Sequence, residues 1–270
     1  MTSPAGWDHP DTARTYEEFC RRYARYRNAS RVLAAHAHVS PAHAVLDFAA
    51  GTGRTADAVL PMLGTAGTVL CVEPAGAMRV VGMARIQDPR VSWTAELPGA
   101  ACRWDRILCS AAIWQLPSLQ DLFCRFSRML KRAGALCFNI PSLYLGEADG
   151  PGGGEDPLLL RLGALLAERR TVPPPPQGRP LPTAVEIDDM LRAAQLKPER
   201  WASRFRLFYP AYRDWLKIPV NTDAMFAGLP ADARAAIIDQ AFGEVDQSSW
   251  RWESWSGWTA WKDESTFTGD

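Results

Sequence analysis

A chain of 270 residues, 47% hydrophobic and 22% charged, has the composition of a globular protein with a buried core, which excludes a disordered or fibrous chain. Thirty Lys and Arg balance thirty Asp and Glu, so no net field draws it to nucleic acid or to an anionic membrane, and a small-molecule partner is favoured. No apolar run approaches the roughly 18 residues of a membrane helix, and the first residues lack the charged and apolar regions of a secretion signal, so a cytoplasmic protein is expected.

The length suits one catalytic domain with an insertion or cap. In residues 1–40, Tyr16, Phe19, Tyr23 and Tyr26 recur at helical spacing, which predicts N-terminal cap helices. From residue 41 to 140 the pattern becomes α/β. Strand-like runs at Ala44–Ala49, Thr68–Val72, Val91–Ala95, Arg106–Ser110 and Ala135–Ile140 alternate with helical stripes, predicting a Rossmann-like doubly wound, mostly parallel sheet. Residues 141–182, rich in Gly and Pro around a leucine-rich helix at Leu158–Glu168, read as an insertion or lid. Residues 183–270 return to the α/β core, starting at a capping-box pattern of Thr183 and Glu186. Within them, 209–247 reads as a helical substrate cap, and Trp250–Lys262 as a final antiparallel strand carrying five of the eleven tryptophans. Those tryptophans keep no single parity, so either both strand faces are covered or Gly257 marks a bulge. The six cysteines include no C-x-x-C pair and lie mostly in apolar runs, which suits buried reduced thiols and predicts no metal site.

The chemistry concentrates at Asp47-Phe48-Ala49-Ala50-Gly51-Thr52-Gly53-Arg54. Glycines between a strand and a helix let backbone N–H groups approach a ligand, and the helix N-terminus adds partial positive charge. Arg54 opposes that charge, which points to solvent or to a carboxylate partner. Twenty residues after Gly53, Glu73 ends the next strand, where a carboxylate accepts both ribose hydroxyls of an adenosine. Gly51-Thr52-Gly53-Arg54-Thr55-Ala56 also satisfies a dinucleotide fingerprint. Asp47 weighs against it, because a carboxylate so near the loop disfavours a pyrophosphate but can accept a hydrogen bond from an ammonium.

These residues resemble the first motif of the class I S-adenosylmethionine-dependent methyltransferases of the small-molecule type, with Ala49 where the first glycine usually stands. The resemblance covers about residues 40–140 well and 183–262 loosely. It implies S-adenosylmethionine as cofactor, bound by Asp47, Ala49, Gly51, Thr52, Gly53 and Glu73, with Pro74 and Met78 beside the adenine. Ala95 and Glu96 fall in the loop that resembles the adenine bracket, with Thr94 at the usual acid position. Ser110 and Ala111 open a segment similar to the fourth-strand exit beside the transferable methyl. Trp114 in that segment and Tyr16 on the first helix are the candidate catalytic residues. The reading is methyl transfer to an apolar or aromatic small molecule, such as a secondary metabolite, without nucleic acid or membrane partners and with room for a homodimer. The same site would also serve a protein using the cofactor structurally in a non-methylating reaction, a non-enzymatic cofactor-binding subunit, or an NAD-dependent oxidoreductase.

Overall fold

The computed structural model describes residues 6–99, 101, 103–147, 156–169, 182–222, 225–226 and 229–262. Two helices come first, α1 (Pro10–Arg22) and α2 (Arg25–His36). Pro10 supplies the pre-set φ of a first helical residue, and the His9 imidazole accepts the Asp11 N–H at 3.2 Å to cap α1.

The core alternates as β1 (Ala44–Phe48), α3 (Arg54–Val59), β2 (Thr68–Val72), α4 (Gly76–Arg85), β3 (Val91–Thr94), β4 (Trp104–Cys109), α5 (Leu119–Met129) and β5 (Leu130–Pro141). There follow α6 (Pro157–Glu168), α7 (Ala184–Ala193), β6 (Leu196–Phe208), α8 (Tyr209–Leu216), α9 (Pro219–Thr222), α10 (Ala231–Gly243) and β7 (Trp250–Lys262). The capping box at Thr183 and Glu186 forms as expected, with both reciprocal bonds present.

The seven strands lie in the order β3-β2-β1-β4-β5-β7-β6, and β7 runs antiparallel to both its neighbours. The strands β2 and β3 are added on one side of β1 and β4 and β5 on the other, so the strand order reverses between β1 and β4, which pair in parallel through Val45 and Arg106. The crevice at the carboxyl ends of such a strand pair is where open α/β sheets bind ligands.

Both faces of the sheet are packed. Phe123, Phe126, Phe138, Leu191 and Trp258 fill one side, and Leu33, Val59, Leu108 and Cys137 the other. Leu162 and Leu165 of α6 share a third cluster with Tyr212 of α8 and Ile238 of α10, so these helices pack as one unit. Cys20, Cys71, Cys109 and Cys137 are buried free thiols, Cys124 is a half-buried one, and Cys102 lies outside the described residues. Among the described residues no helix is long and apolar enough to cross a membrane.

Two features sharpen the sequence reading. The sequence reading placed 183–270 in the α/β core without singling out β6, whose thirteen residues all pair with β7. It lies at the sheet edge, where Pro and outward charges are tolerated. β7 keeps unbroken register, so the tryptophans cover both faces and Gly257 is not a bulge. A Cβ at Gly257 would sit 2.3 Å from the Trp201 ring, so this glycine is the floor on which that ring lies.

Candidate cofactor site

β1 delivers the glycine loop to the β1/β4 crevice. Ala49 turns out of the strand at φ 55°, Gly51 follows at 57° and Gly53 at 84°, so three left-handed residues fold the chain back before α3. Ala50 N–H bonds Val72 O at 3.1 Å and Gly53 N–H bonds Ala50 O at 2.8 Å, which fixes the loop against β2. Ala49 adopts a conformation that a non-glycine residue reaches only at a cost.

Glu73 meets the same loop from β2. Its Oε2 accepts the Gly51 N–H at 2.7 Å and its Oε1 the Ala75 N–H at 2.8 Å. The carboxylate is buried and forms no ion pair among the described residues, so burial raises its pKa. Each oxygen keeps a lone pair beyond its backbone bond.

Asp47 lies deeper, 1% exposed. Its Oδ2 accepts the Ala56 N–H at 3.2 Å, holding the first turn of α3, while Oδ1 has no partner. Burial pushes its pKa up to about 8.

α1 closes over this loop. The Thr52 hydroxyl donates to Glu17 Oε2 at 2.9 Å, and the Arg54 guanidinium lies 2.6 Å from Glu17 Oε1. Arg54 therefore has the carboxylate partner its position calls for. Arg85 reaches the Thr52 carbonyl from α4 and pairs with Asp57. Met78 is buried beside Ala13 and Ala75, with Tyr16 and Trp7 packed on the same cluster. Tyr16 sits between the rings of Trp7 (5.7 Å) and Tyr26 (5.3 Å). Burial raises the Tyr16 phenol well above its usual pKa.

At the β4 exit, Ala111 takes φ 56° and its N–H bonds Asn139 Oδ1 at 2.8 Å. Ser110 Oγ accepts from Ser30 Oγ at 3.3 Å, and Asn139 Nδ2 donates to Ala29 O, so the exit is bound to α2. Trp114 faces elsewhere, its ring 5.1 Å from Tyr144 and 6.4 Å from Trp255. Trp7 spans the interval, packing edge-on against Tyr16 while its indole N–H reaches Gln115 Oε1 at 2.9 Å.

The expected cofactor residues thus divide. Asp47, Ala49, Gly51, Thr52, Gly53, Glu73 and Met78 gather around one loop, with Tyr16 above Met78. Ser110 and Ala111 flank the loop across the crevice, linked to Thr55 through Ser30. Pro74, Ala95 and Glu96 are exposed. Sequence reasoning missed Glu17 and Asn139; the unfavourable charge of Arg54 was the one signal that a carboxylate was needed nearby.

Residues 46–138 match a family model described as a methyltransferase domain. Several solved structures share the fold. The YcgJ protein of Bacillus subtilis is 18% identical, with a TM-score of 0.55 over 88% of this chain and 99% of that one. The 4+2 cyclase SpnF is 15% identical, with a TM-score of 0.54 over 88% and 80%. Phosphoethanolamine N-methyltransferase 2 of Haemonchus contortus, solved with S-adenosylmethionine, is 15% identical, with a TM-score of 0.52 over 88% and 53%. No curated protein matches the sequence. Residues 46–138 are thus similar to a methyltransferase domain, in a chain that shares the fold of these solved structures.

Proposed function

We propose that the protein transfers a methyl group from S-adenosylmethionine to an apolar or aromatic small molecule of the kind made in secondary metabolism. The observation that carries this reading is Glu73, a buried carboxylate held by two backbone N–H groups, whose remaining lone pairs suit two ribose hydroxyls. The orphaned Asp47 Oδ1 suits the cofactor's ammonium. Balanced charge supports a cytoplasmic small-molecule partner over nucleic acid or membrane.

S-adenosylmethionine supplies a sulfonium-bound, electrophilic methyl. The chain's own residues then act mainly by positioning, which can supply roughly 7–11 kcal/mol when a nucleophile is held in line. Tyr16, its pKa raised by burial, stays a neutral phenol near pH 7 and serves as a hydrogen-bond donor and aromatic wall, not as a base. Each histidine is engaged away from the loop. His9 caps α1, His36 stacks on Trp201 at 4.3 Å, His38 lies against Trp261 and His43 accepts from the Ser40 N–H.

Calorimetry with S-adenosylmethionine and S-adenosylhomocysteine tests the site, and product mass tests the reaction. Absence of binding overturns the reading. Cofactor binding with a product isomeric to its substrate would assign the fold to a non-methylating reaction instead.

A further inference from the structure

β5 ends at Pro141, opposite Trp255, so the segment Trp250–Ser254 of β7 pairs with β6 alone. This two-stranded arm rises beyond the sheet edge to which β1, β2 and β4 deliver the glycine loop, Glu73 and Ser110. Beneath it lies a cavity of about 50 Å³ whose walls include Arg25 of α2, Tyr144 after β5, Tyr212 and Trp215 of α8, and Arg251 and Glu253 of β7. Trp114, at the β4 exit, packs on Tyr144, so the cavity is one ring away from that exit.

Arg25, in the wall of this cavity, carries one unfinished polar group. The Arg25 side chain is 8% exposed, and its Nε donates to both Glu253 oxygens at 2.9 Å while Nη2 also bonds Glu253. Its Nη1 has no partner among the described residues. The guanidinium lies 4.3 Å over the Trp215 ring, which fixes its plane. Charge is already balanced, for Glu253 faces Arg25, and Asp156 lies 3.2 Å from Arg251. An incoming carboxylate would therefore meet Glu253 as well as Arg25, whereas a neutral carbonyl or hydroxyl oxygen meets only the two open N–H bonds of Nη1. The remaining walls are flat: Tyr212 and Trp215 stack on each other at 5.9 Å, with Tyr144 also lining the space. A wall able to yield to a larger guest is the turn Ser142–Leu145, whose Leu143 is 58% and Tyr144 41% exposed.

We infer that Arg25 sets substrate choice, with Nη1 donating to a neutral carbonyl or hydroxyl oxygen on an aromatic substrate seated in this cavity, and that Glu253 is its positioning residue. The inference rests on the methyltransferase reading above, since it places an acceptor substrate beside the β4 exit.

The test titrates the full chain, saturated with S-adenosylhomocysteine, with acetonaphthone, ethylnaphthalene and naphthoate, followed by calorimetry. Acetonaphthone should bind about tenfold more tightly than ethylnaphthalene, the usual worth of one hydrogen bond to a charged donor, and more tightly than naphthoate. Arg25→Met should erase that preference and leave S-adenosylhomocysteine affinity unchanged. Because Arg25→Met strands Glu253 in a buried position, the pair Arg25→Met/Glu253→Met accompanies it and should show the same loss. Glu253→Gln, which keeps an acceptor for Arg25, should retain most of the preference for acetonaphthone over ethylnaphthalene. Equal binding of acetonaphthone and ethylnaphthalene by the native chain overturns the proposal, as does tightest binding of naphthoate or no binding of any probe. A preference that survives in the Arg25 variants overturns it too. Failure of the native chain to bind S-adenosylhomocysteine is a separate result, and it removes the methyltransferase reading itself.

Discussion

The Thr52 hydroxyl donates to the Glu17 carboxylate across 2.9 Å, and both side chains are buried. This bond joins the N-terminal helix α1 to the glycine loop, so the two are one hydrogen-bonded unit. Thr52→Val keeps the shape and removes the donor. It should destabilise the protein by about 1–3 kcal/mol, the range for losing a buried hydrogen bond to a charged acceptor. Urea unfolding of Thr52→Val, Glu17→Gln and the double variant measures the coupling. Additive effects would show that α1 is held by its apolar contacts alone.

Glu73→Ala should weaken S-adenosylmethionine and S-adenosylhomocysteine alike, by about 1.5–3 kcal/mol for each ribose hydrogen bond before water compensates. It also frees the Gly51 and Ala75 N–H groups, so the melting temperature should fall as well. Glu73→Gln keeps one acceptor oxygen and should fall between the two. Unchanged affinity in Glu73→Ala, read by calorimetry, would remove Glu73 from the site.

Asp47 makes stability depend on pH in a defined direction. An unfolded aspartate titrates near 4, while burial pushes the folded value up to about 8. Between those values the folded chain holds a proton that the unfolded chain has lost, so this contribution is complete below about pH 4 and fades as pH rises through 8. Glu73, also raised, acts in the same sense. Asp47→Asn should flatten the fall in melting temperature between pH 6 and 9. An ammonium beside Asp47 would expel that proton, so binding of S-adenosylmethionine at pH 7 should release protons, seen as a buffer-dependent binding enthalpy.

Ala49 carries a left-handed backbone at φ 55°. Relief of that strain is worth about 1–2 kcal/mol, and the extra freedom of glycine in the unfolded chain returns about 0.5–1. Ala49→Gly should therefore stabilise the protein by up to about 1 kcal/mol, measured by denaturant titration. A loss of stability would mean that the Ala49 methyl packs usefully where it lies.

The glycine loop, Glu73 and the strands β1, β2 and β4 were legible because each is a short apolar run bounded by turn residues, a pattern that local chemistry alone dictates. β6 was not. Lys197, Glu199, Arg200, Arg204 and Arg206 give it the look of a solvated loop, and only its edge position makes that composition suitable for a strand. Glu17 was illegible for a related reason. A carboxylate on an amphipathic helix ordinarily faces water, and its burial here follows from Arg54 and Thr52 arriving from a different part of the chain. Asn139 reads as one polar residue in an apolar strand until the β4 exit folds against it. Gly152–Gly154 and Pro173–Pro176, within the segment read as an insertion or lid, lie outside the described residues.

β7 occupies a slot between β5 and β6, yet both neighbours precede it in the chain. As the polypeptide is synthesised, the edge of β5, with Phe138 and Ile140, stands open until residues 250–262 emerge. Closing the sheet then joins segments more than a hundred residues apart, a contact that forms slowly because its loop must be ordered first. β6 and β7 carry no such delay between themselves, since an antiparallel ribbon with α8, α9 and α10 as its connection has nearer ends. The expected order is therefore a β6–β7 ribbon first and its insertion beside β5 second, and Trp255 and Trp258, both buried, should report that second step in their fluorescence.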